Sequence, residues 1–104
     1  MISVTVTRKN GRISELTVSG HAGYARRGKD VVCAAVGSIA QTALMGLLKY
    51  DGQVEYERRE DGYLKIVVPN EKNAEIDQAV METAVLGLKD VASGYGTFVK
   101  VEEK

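Results

Sequence analysis

Two stretches of alternation, each running into a turn dipeptide, constrain the fold of this chain more tightly than any other feature. From Ile2 to Thr7 the residues alternate. Ile2, Val4 and Val6 point one way and Ser3, Thr5 and Thr7 the other, the period of a half-buried strand. Asn10-Gly11 follows, and both residues tolerate the positive φ that a type I′ hairpin turn requires. Ile13, Leu16 and Val18 mark the return strand, whose alternation slips at Ser14-Glu15 in the manner of a β-bulge. Further on, Val54 and Tyr56 alternate with charged residues and Asp61-Gly62 supplies a second turn. Leu64, Ile66 and Val68 complete the second hairpin, and Pro69 ends it.

Helical periods follow each hairpin. Asp30 is a good N-cap, because its carboxylate can accept from a backbone N–H at N2 or N3, and Cys33 then sits at N3. Val32, Val36, Ile39, Ala40, Ala43, Leu44, Leu47 and Leu48 recur largely at 3.6-residue spacing. The first half of this helix is rich in small residues (Ala34, Ala35, Gly37, Ser38, Ala40), which let another backbone come close. A second helix is expected over Asn70 to Ser93, with Ile76, Ala79, Val80, Thr83, Ala84, Gly87 and Val91 on one face and Gly94 as its C-terminal cap. Thr97 to Val101 reads as a last strand before a charged tail. The order ββ-α-ββ-α-β predicts an α+β fold, a mainly antiparallel sheet with two helices packed on one face. With 104 residues and no linker, repeat or low-complexity segment, one domain over residues 1–104 is expected.

Fourteen basic and fourteen acidic residues cancel, so overall charge gives no pull toward nucleic acid or an anionic membrane. No direct nucleic-acid partner and no membrane partner are expected. The N-terminus lacks the basic-then-apolar layout of a signal peptide, and no apolar run is expected to span a bilayer, which needs about 20 residues. A single cysteine forms no internal disulfide and suits a reducing compartment, so the expected location is the cytoplasm.

The chemistry-bearing stretch is Gly20 to Cys33. Thiol catalysis needs a thiolate and a base. A helix N-terminus, with its partial positive charge, favours the thiolate. The only cysteine lies in a first helical turn, and the only histidine, His21, lies twelve positions earlier in a glycine-rich loop able to fold back over it. Bland readings stand beside this one. A lone Cys near a helix start is commonly a small buried hydrophobe. A lone loop His is commonly solvated, Asp30 needs only its capping role, and Arg26-Arg27-Gly28-Lys29 suits a solvated loop. One Cys and one His are too few for a metal site, and none is expected. The glycines match no phosphate-binding fingerprint, and no cofactor is expected.

Gly20-His21-Ala22-Gly23-Tyr24-Ala25, then Gly28, then Asp30-Val31-Val32-Cys33-Ala34-Ala35-Val36, closely resembles the Prp family, the ribosomal-processing cysteine proteases. The resemblance covers most of the chain, since the order of elements also fits. It implies a cysteine endopeptidase that removes an N-terminal extension from a large-subunit ribosomal protein, number twenty-seven of its series, in support of ribosome assembly. By the same resemblance Cys33 is the nucleophile and His21 the base, with Gly20 and Asp30 in support. Gly23, Tyr24 and Gly28 belong to a mobile loop that orders around the substrate peptide. The partners implied are the ribosomal-protein precursor and a second copy of the chain in a homodimer. One departure stands out: many relatives carry Ser four residues after the Cys, where this chain has Gly37, with Ser38 one later. One residue turns a helical side chain by about 100°.

The implied reaction is acyl transfer, with backbone N–H groups at the helix start as natural oxyanion donors. Asp30 either orients His21 or only caps the helix, and capping alone explains it. The main alternative function is a non-catalytic ribosome-associated binding module acting through a dimer surface. Leu86 and Leu88 fit such a face or ordinary packing. A thiol redox sensor has little support, because the chain has no second Cys to resolve a sulfenic acid.

Overall fold

The computed structural model describes residues 1–26, 30–68 and 74–104. Its elements are β1 (Ile2–Lys9), β2 (Arg12–Ser19), α1 (Val31–Tyr50), β3 (Glu55–Arg59), β4 (Tyr63–Val67), α2 (Ala74–Gly94) and β5 (Val99–Glu103). They form a five-stranded sheet in the order β3-β4-β2-β1-β5 with both helices on one face. The expected element order and fold class are those observed. Pro69, residues 70–73 of the expected second helix, and Gly28 lie outside the described residues.

Both hairpins form at their turn dipeptides. Asn10 and Gly11 have φ of 55° and 79°. The second turn has three residues, with Arg59 opposite Tyr63 and the left-handed conformation on Gly62 alone, at φ 83°. The slip in β2 is a bulge: Thr7 pairs Glu15 and Arg8 pairs Ile13, leaving Ser14 unmatched. The bulged backbone is not orphaned. The Ile13 N–H donates to Gln78 Oε1 at 2.8 Å and the Gln78 amide donates back to the Ile13 carbonyl at 2.7 Å, tying α2 to β2.

Ile2, Val4, Val6, Ile13, Leu16 and Val18 are buried, as their alternation predicts. β5 begins two residues later than expected, at Val99, and pairs with β1 in parallel. The pairing is non-local, so nothing in the local pattern of Val99–Glu103 announces its direction. On α1 the buried face is Val32, Val36, Ala40, Ala43, Leu44 and Leu47. This helix corrects the expectation that no apolar run approaches spanning length. Val31–Tyr50 is long and apolar enough, by length and composition, to cross a membrane. Here it is the core helix of the fold.

The expected face of α2 is also corrected. Met81, Ala84, Val85 and Leu88 are buried, together with the carboxylate of Asp77, whereas Ile76, Ala79 and Thr83 are exposed. The predicted stripe lies to one side of the true core face, along the seam with α1. There Gly87 and Gly46 leave room: a Cβ on Gly87 would lie 3.4 Å from Ile39 Cδ1, and one on Gly46 would lie 4.0 Å from Val80 Cγ1. Leu88 is core, whereas Leu86 is exposed.

Candidate active site

The site is built where β2 ends and α1 begins. Gly20 turns the chain out of β2 at φ 93°. Its N–H donates to the Gly62 carbonyl at 3.1 Å. A Cβ here would stand 2.5 Å from the Met1 carbonyl oxygen, so only glycine fits. Gly62 is equally confined. A Cβ on it would meet the Gly20 carbonyl at 2.7 Å and His21 Cε1 at 3.1 Å. The β3–β4 turn thus packs directly on the His21 ring.

Asp30 caps α1 as its sequence position predicts. Oδ1 accepts from the Val32 and Cys33 N–H groups, both at 3.0 Å. Its second oxygen does what the cap rule does not foresee. Oδ2 accepts from the N–H groups of Tyr24 at 3.0 Å and Ala25 at 3.3 Å, so one carboxylate binds the loop to the helix. The residue is buried. Burial works against its ionisation, but the N–H donors, led by Cys33, outweigh it and hold the carboxyl below the usual carboxylate value. These bonds go to backbone N–H groups of the described residues, which is a capping and clamping role.

Cys33 stands at N3, half-buried, with a free thiol. Its Sγ accepts a hydrogen bond from the Ala22 N–H at 3.2 Å, so the residue beside His21 touches the sulfur. The Val32 and Cys33 N–H groups are engaged by Asp30, and the Ala34 N–H donates to the Asp30 carbonyl at 3.1 Å. These three N–H groups of the first turn, the expected class of oxyanion donor, thus already have acceptors in the free chain.

His21 and Cys33 line one cleft of about 320 Å³. One wall is the first half of α1, where Gly37 and Ala40 keep the space open. The other is the β3–β4 hairpin. Val4 pairs with Val18, Val18 with Leu64, and Leu64 with Arg58, so the inner row of the sheet runs out to Arg58 at the cleft rim. Gly20 and Gly62 close the end near His21. Ser38 is exposed and lines the groove between α1 and α2, so it does not replace a hydroxyl at Gly37.

The other candidate residues fall away from the cleft lining. Asp30 sits behind Cys33 as the clamp. Gly23 takes φ 74° in the loop. The Tyr24 ring packs edge-on against Tyr95, with centroids 5.7 Å apart, and against Phe98, at 5.3 Å. Sequence reasoning missed Ala22, Gly62, Leu64 and Arg58. Asp61-Gly62 was legible only as a turn, and nothing local shows that the turn reaches His21. Among the described residues no group of three His, Cys, Asp or Glu side chains is placed to hold a metal.

Comparison with known proteins gives a consistent result. The family model described as cysteine protease Prp matches residues 1–100. The ribosomal processing cysteine protease Prp of Mycoplasma pneumoniae is 30% identical over 109 residues, covering 100% of this chain and 96% of that protein. The protein of the same description from Staphylococcus aureus is 24% identical, covering 100% of both chains. A crystal structure of the Staphylococcus aureus protease with a covalently linked product peptide superposes with a TM-score of 0.92 at 20% identity, again over 100% of both chains. With a family model matching nearly its whole length, this chain belongs to the Prp family of cysteine proteases.

Proposed function

We propose that this protease removes the N-terminal extension of the large-subunit ribosomal protein numbered twenty-seven, with Cys33 as nucleophile and His21 as base. The observation that carries the reading is the shared cleft. The only Cys and only His line it together, and the Ala22 N–H that follows His21 donates to Cys33 Sγ at 3.2 Å. The substrate class rests on the relatives, which are named ribosomal processing proteases. The cleft suits an extended peptide: it is a groove between a helix and a hairpin, floored by Val18, Val36 and Leu64.

In the proposed reaction His21 takes the Cys33 proton and the sulfur attacks the scissile carbonyl, forming a tetrahedral adduct. The adduct collapses as the C–N bond breaks and His21 returns the proton to the leaving amine. Water then attacks the thioester as His21 takes its proton, and His21 returns that proton to the departing sulfur, which releases the thiol and a carboxylic acid that ionises to solvent.

The decisive experiment is incubation of a peptide spanning the extension junction with wild type and with Cys33→Ala, read by mass spectrometry. Cleavage at one bond by wild type, and none by Cys33→Ala, is the expected outcome. A folded wild type that binds the peptide without cutting it would overturn the reading in favour of a binding module. We also propose a homodimer, on the family resemblance. Light scattering on the purified chain is expected to give twice the 11.3 kDa chain mass, and a monomer at working concentration would refute it.

A further inference from the structure

We propose that Tyr24 is a positioning residue for hydrolysis: its ring, seated on Tyr95 and Phe98, holds the His21 loop so that the Ala22 N–H meets the Cys33 sulfur. The inference rests on the assignment of Cys33 and His21 as the reacting pair.

The loop that leaves β2 is fixed at both ends of a short span. At Gly20 it is tied to the Gly62 carbonyl. At Tyr24 it is tied twice, through the N–H to Asp30 Oδ2 and through the ring. His21 and Ala22 lie between these anchors, and Ala22 is buried. Gly23, at φ 74°, lacks a side chain to fix the span itself. Where the ring sits is therefore a main constraint on where the Ala22 N–H points.

The seat is rigid. The Tyr95 N–H donates to the Val91 carbonyl at 2.9 Å. The Phe98 and Val99 N–H groups donate to the Tyr95 carbonyl at 2.8 and 3.0 Å, and the Phe98 carbonyl accepts from the Ile2 N–H at 2.8 Å. Tyr95 to Phe98 is thus a tight turn locked to α2, β5 and the start of β1. Both ring contacts are near-perpendicular, at 89° and 83°, the edge-to-face arrangement that aromatic quadrupoles favour. The contacts are made by the ring, so Tyr24→Phe should preserve them and Tyr24→Ala should not. The Tyr24 ring is partly exposed, so truncating it leaves the main core intact.

Two readouts test the proposal separately from the identity of the substrate. The first is hydrogen exchange of the Ala22 amide in the full chain, which needs no substrate. Tyr24→Ala is expected to speed exchange at least tenfold, and Tyr24→Phe to leave it within twofold of wild type. The second is kinetics on the junction peptide. Tyr24→Ala is expected to lower kcat by about 10- to 100-fold, the scale of a misplaced catalytic constellation, with KM little changed because the ring does not line the cleft. Tyr95→Ala is expected to reproduce Tyr24→Ala, and the double variant to be no worse than either single one. Unchanged Ala22 exchange in Tyr24→Ala would overturn the proposal. So would a rise in KM alone, which would make the ring a substrate contact, or failure of Tyr24→Phe to restore activity. If wild type does not cut the peptide, the substrate assignment fails while the exchange experiment still decides the role of Tyr24.

Discussion

Asp30→Ala is expected to lower kcat/KM on the junction peptide by about 100-fold, the cost of letting reacting groups drift from their geometry. The side chain is the single acceptor shared by two N–H groups of the helix start and two of the His21 loop. Removing it takes that acceptor from all four and cuts the tie between the helix start bearing Cys33 and the loop bearing His21. Asp30→Asn separates the two duties. An amide keeps one acceptor oxygen and turns an NH₂ toward the other pair of donors, so either the helix or the loop loses its partner. Helix content by circular dichroism should survive in Asp30→Asn while kcat/KM stays low. Wild-type kcat/KM in Asp30→Ala would show that the clamp is idle. The pH dependence has a definite sign. The folded carboxyl titrates below its usual 3.8, so the clamp is fully made above that value and is lost as pH falls through the lower folded value. Any change in activity between pH 5 and 8 therefore belongs to other groups.

The legibility of the fold follows how local each determinant is. Asn10-Gly11, the Ser14 slip and the Asp30 cap are each decided by a few neighbouring residues, and each was readable. The direction of β5 was not, because its partner β1 lies at the other end of the chain. Apolar spacing alone points to one side of the core face of α2. The true core stripe includes Asp77, a charged residue type that a hydrophobic pattern places outside. The site divides the same way. His21 and Cys33 are close in sequence, and their loop-then-helix setting was visible. The second cleft wall comes from pairing of β4 with β2, which puts Leu64, Arg58 and Gly62 opposite a helix they follow in sequence. Asp30 shows the boundary within one residue: its bonds to Val32 and Cys33 follow from cap rules, whereas those to Tyr24 and Ala25 depend on the loop's return path.

Asp77 also carries the largest expected stability effect. It is wholly buried in the first turns of α2, beside Asp51, the C-cap of α1. Among the described residues, both Asp77 oxygens and Asp51 Oδ2 lack a hydrogen-bond partner, while Asp51 Oδ1 accepts from the Gln53 N–H at 3.2 Å. Two carboxyl groups in contact need a proton between them. Burial first, then the hydrogen bond to Asp51 that only a protonated carboxyl can make, and the Asp51 charge, push the Asp77 pKa up to about 6 from 3.8. Because the folded value is the higher one, the folded state holds a proton that the unfolded chain releases. The contribution of this pair to stability is therefore fully present below about pH 4, falls as pH rises to about 6 and is lost above it. The drop is roughly 2–3 kcal/mol. Asp77→Asn supplies the missing donor permanently, since its amide can donate to Asp51 with no proton to lose. Urea unfolding is expected to show the variant more stable than wild type by that amount at pH 8 and nearly equal to it at pH 4. Parallel stability curves for the two proteins between pH 4 and 7 would mean that no shared proton joins α1 to α2.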